Sequence, residues 1–343
     1  MRSSVSTCTQ CGANVAAAER FCENCGAALS AIRRVAVPRP APRDDGRASL
    51  CADCGRGTYV DDYCTVCGDR RPDPDRDEDR LDAIVLITDR GIEHTRNEDA
   101  GAAGTVARQA GERPHAITAV VCDGVSTSAE AQNASRAASV AGVDAMLTAL
   151  AASRDVTSVM RTGLAEGAKA AAESTSPEGS SPASCTYTAA VVVPSAPGEV
   201  QIAIANVGDS RVYWLPEPPA PPLCLTVDDT VARQLISAGV PPDSPAVLRG
   251  EHTLTRWFGR DAEKEKWRES NVSTMTTADR GVVLLCSDGL HNYLPEAADL
   301  AKFCNGVEPH EAARALVDHA LRAGGHDNIT VIIIPIGGSH EFG

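Results

Sequence analysis

Residues 186–215 read TYTAAVVVPSAPGEVQIAIANVGDSRVYWL, and this stretch decides the fold. It holds three apolar runs, Thr186–Val193, Val200–Val207 and Arg211–Leu215, rich in the β-branched residues that suit a pleated surface. Pro194-Ser195-Ala196-Pro197-Gly198 between the first two reads as a hairpin loop. Further strand-like runs lie at Ala83–Thr88, Ala116–Cys122, Gly281–Cys286 and Ile329–Ile336. Ala129–Ala152 and Asp155–Ser174 are Ala-rich with helical spacing of Val, Met and Leu, and suggest an antiparallel helix pair lying on the sheet. Val231–Ala238 is a shorter helix closed by Gly239, and Glu308–Arg322 another, with Pro309 in its first turn and Gly324-Gly325 at its end. Strands therefore run in blocks with helix pairs between them. That favours an α+β layered architecture over a doubly wound parallel sheet.

Five short acidic motifs punctuate these runs: Asn97-Glu98-Asp99, Asp123-Gly124, Gly208-Asp209-Ser210-Arg211, Ser287-Asp288-Gly289 and Gly325-His326-Asp327-Asn328. Asp123, Asp209 and Asp288 follow apolar runs, and Asp327 precedes one. Strand ends that each present one carboxylate can converge in space. Clustered carboxylates do not stay ionised together without cations, which points to hard divalent metals and oxygen ligands. Each Asp also has a plainer reading as a turn former or helix cap; Asp209 in particular suits the cap of a tight hairpin.

The N-terminal part has a different texture. Cys8-x-x-Cys11-Gly12 is followed by Cys22-x-x-Cys25-Gly26, and Cys51-x-x-Cys54-Gly55 by Cys64-x-x-Cys67-Gly68. Each set supplies four thiolates for one tetrahedral zinc, so two structural Zn2+ are expected, with no open coordination position. The Gly after each second Cys can take a positive φ and bring backbone N–H groups to the sulfurs. Redox disulfides are the rival reading, but they do not need two complete pairs of knuckles at matched spacing. The expected organisation is a ribbon over 1–30, a Pro- and Arg-rich linker over 31–48, a ribbon over 49–70, a charged linker over 71–82 and a large domain over 83–338.

The net charge of the 343 residues is −14. Residues 1–80 hold 12 Lys/Arg and 13 Asp/Glu, so the acidity belongs to the larger C-terminal part. Such a surface argues against general nucleic-acid binding and suits metal cations or basic partners. No stretch approaches the ~18 apolar residues of a membrane span. The start MRSSVSTCTQ lacks the apolar core of a secretory signal, so a cytoplasmic location is expected.

In order, TDRGIEHTRNEDA, AVVCDGVS, IANVGDSRVYWL, LLCSDGL and GGHDNITVIII resemble the type 2C metal-dependent Ser/Thr protein phosphatases, over about residues 83–336. The cysteine-rich part resembles the double zinc ribbons of bacterial signalling proteins, where they serve as protein-interaction modules. The resemblance implies an antiparallel β-sandwich flanked by helix pairs, with two Mn2+ or Mg2+ in a cleft at one end. It implies phosphorylated protein substrates and a functional link to a Ser/Thr kinase. Carried over by position, Asp123 would bridge both metals and the Gly124 carbonyl would bind one. Asp288 and Asp327 would serve one metal, and Glu98 the other. Asp99 would hydrogen-bond metal-bound water, and Asp209, Arg211 and Asn328 would shape the cleft. Two metals about 3.5–4 Å apart lower the pKa of a shared water and hold the phosphoryl oxygens.

Several positions depart from the family pattern. His94 stands where a phosphate-binding Arg is usual, with Arg96 two residues on; either can contact the phosphate, and His94 can also protonate the leaving alkoxide. Val125–Ser128 replaces a Gly-Gly-His loop. Ser181-Pro182 and Asn292 hold places where the family has Asp, so a third metal is expected to be weak or absent. Residues 216–280, with Trp257, Phe258 and Trp267 among several Arg, suit either a substrate flap or core packing of the aromatics.

Other classes fit less well. A thiol phosphatase needs Cys-x5-Arg, a spacing met at Cys64 and Arg70, where Cys64 belongs to a zinc knuckle. The P-loop pattern is absent. The alternative of a different class is a catalytically weak phosphatase fold used as a binding or adaptor module. It predicts lost metal ligands, whereas every core carboxylate is present.

Overall fold

The computed structural model describes residues 6–7, 11–15, 22–25, 31–39, 50–51, 54–60, 63–68, 75–107, 112–128, 130–174, 182–262 and 267–337. Twelve of its strands build two facing sheets: β1 (Ile32–Val37), β2 (Arg76–Leu81), β3 (Ile84–Asp89), β4 (Ala100–Ala107), β5 (Pro114–Cys122), β6 (Tyr187–Ala196), β7 (Glu199–Val207), β8 (Arg211–Pro216), β9 (Leu223–Cys224), β10 (Val272–Thr277), β11 (Gly281–Cys286) and β12 (Ile329–Ile336). The first sheet has the order β10-β7-β6-β5-β4-β1 and the second β9-β8-β11-β12-β3-β2. All neighbouring strands are antiparallel. The expected α+β antiparallel sandwich is what the chain forms.

Alternation along each strand makes three apolar layers. In β12, Ile332, Ile334 and Ile336 pack between the sheets, while Ile329, Val331 and Ile333 face the helices outside. In β5, Ile117, Ala119 and Val121 face the other sheet and Ala116, Val120 and Cys122 face outward. Helices α1 (Ala131–Ala151) and α2 (Val156–Glu173) cover the first sheet. Helices α3 (Ala297–Cys304) and α4 (Pro309–Ala323) cover the second. The Asp155 carboxylate caps α2 by accepting from the Ser158 amide at 2.9 Å, and Glu308 caps α4 by accepting from the His310 and Glu311 amides. Tyr187 of β6 is fully buried beneath α1 and α2. A Cβ at Gly167 would lie 2.6 Å from its ring, so only glycine admits the tyrosine there.

The deciding stretch forms a hairpin and a corner. β6 and β7 pair around Pro194–Glu199, as the Pro-Gly loop suggested. β7 and β8 lie in different sheets, however, so Gly208-Asp209-Ser210 carries the chain across the sandwich instead of closing a hairpin. Gly208 takes φ 111°, a backbone angle glycine adopts without strain.

Two segments read as spacers are strands. Ile32–Val37 pairs with β4 from Ile32↔Val106 to Val37↔Gly101, and Arg76–Leu81 pairs with β3 from Arg76↔Asp89 to Leu81↔Ile84. Both are edge strands, and Val37 and Leu81 are buried. Their charged residues fit this place, because an edge strand turns one side to water. β4, AGAAGTVA, also escaped the sequence reading. Small residues carry little strand propensity, and here they let α1 approach: a Cβ at Gly104 would strike the Leu147 side chain.

Candidate metal and phosphate site

Every acidic motif lands at one end of the sandwich. Ala100 pairs with Cys122, Val207 with Tyr187, Arg211 with Cys286 and Ile329 with Asp89, so the adjoining Glu98-Asp99, Asp123, Asp209, Asp288 and Asp327 share that end. The first sheet supplies Asp99, Asp123 and Asp209, and the second supplies Asp288 and Asp327. A cavity of about 960 Å³ opens there, its wall including Asp123, Gly124, Asp209, Asp288 and Asp327. Glu98 and Asp99 are buried beside it. A Cβ at Gly124 would lie 2.7 Å from the Glu98 carbonyl oxygen, which brings the two loops into contact.

Hydrogen bonds tie the loops at this end together. Asn328 accepts from the Glu98 amide at 2.7 Å and donates to the carbonyls of Arg90 (2.7 Å) and Arg96 (3.1 Å), so one side chain fixes the 90–98 turn. The Asp123 amide donates to the Thr186 hydroxyl at 2.9 Å, and the Thr186 amide to the Asp123 carbonyl at 2.7 Å. In the 125–128 loop, the Ser128 hydroxyl donates to the Val125 carbonyl and accepts from the Ser184 amide. A serine thus closes this loop without an imidazole.

The electrostatics explain why the cluster needs cations. Burial pushes the Asp123 carboxyl well above its ordinary range, and repulsion from Asp99, Asp288, Asp327 and Asp209 adds to the shift. Burial likewise raises Asp99 to about 7 and Asp209 to about 8, and it raises Asp288, which also faces Asp327. Among the described residues, both carboxylate oxygens of Asp99 and Oδ1 of Asp288 are buried with no hydrogen-bond partner. Such orphaned acceptors are costly unless a cation or its bound water meets them. The residues present therefore fit hard divalent metals.

The rim residues are placed less uniformly. His94 Nε2 lies 3.2 Å from Asp327 Oδ1, and Arg96 lies 2.6 Å from Glu98 Oε1, half-exposed. Neither is on the cavity wall. Arg211 forks onto Asp228, with Nη2 at 2.7 Å, and supports the cleft from outside. Asn292 donates to Asp288 Oδ2 at 3.2 Å. Of the aromatics, Phe258 is core, packed on Tyr187 at 5.1 Å between ring centroids, while Trp257 lines the cavity and donates to Asp261. Arg256 is turned away onto Asp229 and Asn271.

One supporting residue was not read from the sequence. Buried His291 sits within hydrogen-bond distance of the Asp209 carbonyl, 2.9 Å from Nε2. Burial lowers its pKa to about 4, so it is neutral, and the carbonyl assigns the proton to Nε2. The signal was its place in Asp288-Gly289-Leu290-His291, a short helix whose buried face points back into the site.

Among the ribbon cysteines, Cys51, Cys54, Cys64 and Cys67 bring their Sγ atoms within 4.8 Å of one another, as do Cys11, Cys22 and Cys25. Cys8 lies outside the described residues. The Cys51–Cys67 and Cys54–Cys64 sulfurs are 3.6 Å apart, close to the edge of a tetrahedron with Zn–S of about 2.3 Å. None of these described thiols is in a disulfide. Gly12, Gly55 and Gly68 have φ of 72°, 65° and 75°, as the knuckles require. The Val66 amide reaches Cys64 Sγ at 3.4 Å. The Asn24 side chain, together with the Ala13 backbone, lowers Cys11 to about 6, favouring the thiolate.

Residues 8–68 match the Double zinc ribbon family model. The serine/threonine phosphatase stp of Listeria innocua is 33% identical over 150 residues, 43% of this chain and 55% of that protein. The chain thus spans about half the length of this curated relative. Among solved structures, the S. agalactiae serine/threonine phosphatase superposes with a TM-score of 0.54 at 21% identity, over 73% of this chain and 97% of that one. The PPM Ser-Thr phosphatase of Mycobacterium smegmatis gives 0.51 at 23% identity, over 74% and 98%. The chain therefore joins a segment that matches the Double zinc ribbon model to a domain with the fold of the PPM Ser/Thr phosphatases.

Proposed function

We propose that this chain is a metal-dependent protein Ser/Thr phosphatase that hydrolyses phosphoserine and phosphothreonine. The observation that carries the reading is the convergence of carboxylates from both sheets on one cavity, with buried oxygens that have no hydrogen-bond partner among the described residues. Glu98, Asp123, the Gly124 carbonyl, Asp288 and Asp327 would hold two Mn2+ or Mg2+. When bound, these ions lower the pKa of a water and neutralise charge on the phosphoryl group. Asp99 would accept a hydrogen bond from metal-bound water, and Asp209, Arg211, Asn328 and His291 keep the loops in register. At the rim, Arg96 or His94 contacts the phosphate, and His94 can give its proton to the leaving alkoxide. The cysteine groups would hold two structural Zn2+ and serve as protein-interaction modules. A cytoplasmic circuit shared with a Ser/Thr kinase is the setting we assign.

The test is phosphate release from a phosphothreonine peptide by the full chain, with and without Mn2+. Asp123→Asn and Asp288→Asn should each lower turnover by at least ~100-fold, because each removes a charge that holds the ions. Absent turnover with Mn2+ binding intact by calorimetry would favour the adaptor reading instead.

A further inference from the structure

The 90–98 turn carries His94, Arg96 and Glu98, and it is gripped from two sides. Inside the site, Asn328 holds the carbonyls of Arg90 and Arg96 and the amide of Glu98. Outside, Asp75 holds Arg90. Arg90 Nε donates to Asp75 Oδ1 and Nη2 to Oδ2, each at 2.8 Å, and the Arg90 amide donates to the Asp75 carbonyl at 2.8 Å. This two-pronged pair fixes the plane of the guanidinium. Its remaining prong, Nη1, then donates to the carbonyl of His94. Asp75 lies just past the last ribbon cysteine, Cys67, and directly before β2. The next residue, Arg76, bridges Asp89 at the end of β3 and Asp318 on α4, at 2.8 Å each, which anchors the segment to the sandwich.

We propose that Asp75 is a positioning residue for the catalytic turn: through Arg90 it sets the His94 carbonyl, so the segment leaving the second ribbon completes the site. The proposal rests on the phosphatase reading for its kinetic consequence and on geometry alone for its structural one. The Asp75 carboxyl is held below its ordinary range by Arg90, as a charged partner requires.

The experiment compares Asp75→Ala, Asp75→Glu, the swap Asp75→Arg with Arg90→Asp, and Asp318→Asn, all in the full chain. Asp318→Asn is the control, since it removes one ion pair of Arg76 while leaving the Arg76–Asp89 pair and the Gly91 amide bond to Asp89 in place. Two quantities are read: kcat and KM with the phosphothreonine peptide, and hydrogen exchange of the 90–98 amides. Asp75→Ala should lower kcat ~10-fold with KM within ~2-fold, because a misplaced catalytic group costs rate more than binding. It should speed exchange in 90–98 by ~5-fold or more. Asp75→Glu should recover part of both losses, and Asp318→Asn should match the parent chain. The swap should not recover them, because it restores the ion pair but not the donor to the His94 carbonyl. Rescue by the swap, equal effects of Asp318→Asn and Asp75→Ala, or unchanged exchange in Asp75→Ala would overturn the proposal. If the parent chain itself shows no turnover, the phosphatase reading fails, and exchange alone decides the role of Asp75.

Discussion

At the scale of single residues, the buried carboxylates are exceptions to ordinary packing. Asp99 is 1% exposed and Asp123 is surrounded by other acids, a placement that only cations make favourable. Tyr187 is a second exception, because its hydroxyl is buried under α1 and α2 with no partner among the described residues. Tyr187→Phe should therefore be neutral or stabilise the fold by up to ~1 kcal/mol in urea unfolding, since an unpaired hydroxyl costs more than it contributes. A loss above 1 kcal/mol would mean that the hydroxyl has a partner. Asp123 and Asp288 were readable from sequence because each ends a run of buried residues. The Nε2 contact of His291 was not, since Leu-His beside a motif looks like any helix turn.

At the scale of elements, the edges matter most. β1 and β2 close the exposed sides of β4 and β3, and Val37 from β1 enters the layer between the sheets. A chain starting at residue 31 should keep the thermal midpoint of the sandwich. A chain starting at residue 83 should unfold at least ~5 °C lower or aggregate, because it loses buried residues and bares two strand edges. Equal midpoints would show that the sandwich begins at β3. Apolar periodicity marked β3, β5 and β12, but it could not mark Arg76–Leu81, whose sequence RDEDRL has one apolar residue. That strand exists because β3 offers a free edge and because α4 supplies Arg314 and His310 to its Glu78.

At the scale of the whole molecule, metal binding at the acidic site would be coupled to stability. Asp99 and Asp209 have folded pKa values near 7 and 8, above the ~3.9 of an unfolded Asp. Without metal, the folded state holds extra protons between those values, so stability should fall as pH rises from about 4 to 8. On the proposed reading, bound Mn2+ or Mg2+ would replace those protons. Scanning calorimetry at pH 5.5 and pH 8 should then find that Mn2+ raises the midpoint more at pH 8. An equal or smaller rise at pH 8 would contradict this linkage. No helix of the described residues is long and apolar enough to cross a membrane.

The amino-acid sequence alone marked seven of the strands, the first helix pair, the cysteine knuckles and the acidic motifs that share one end of the sandwich, because these are local patterns of period, turn chemistry and ligand spacing. It did not determine that Gly208-Asp209-Ser210 crosses between sheets, that the spacers flanking the second ribbon become edge strands, or that Asp75 reaches Arg90. Those depend on which edges remain unpaired and which charges meet once the sheets stack. Burial and hydrogen-bond satisfaction settle such questions only in three dimensions.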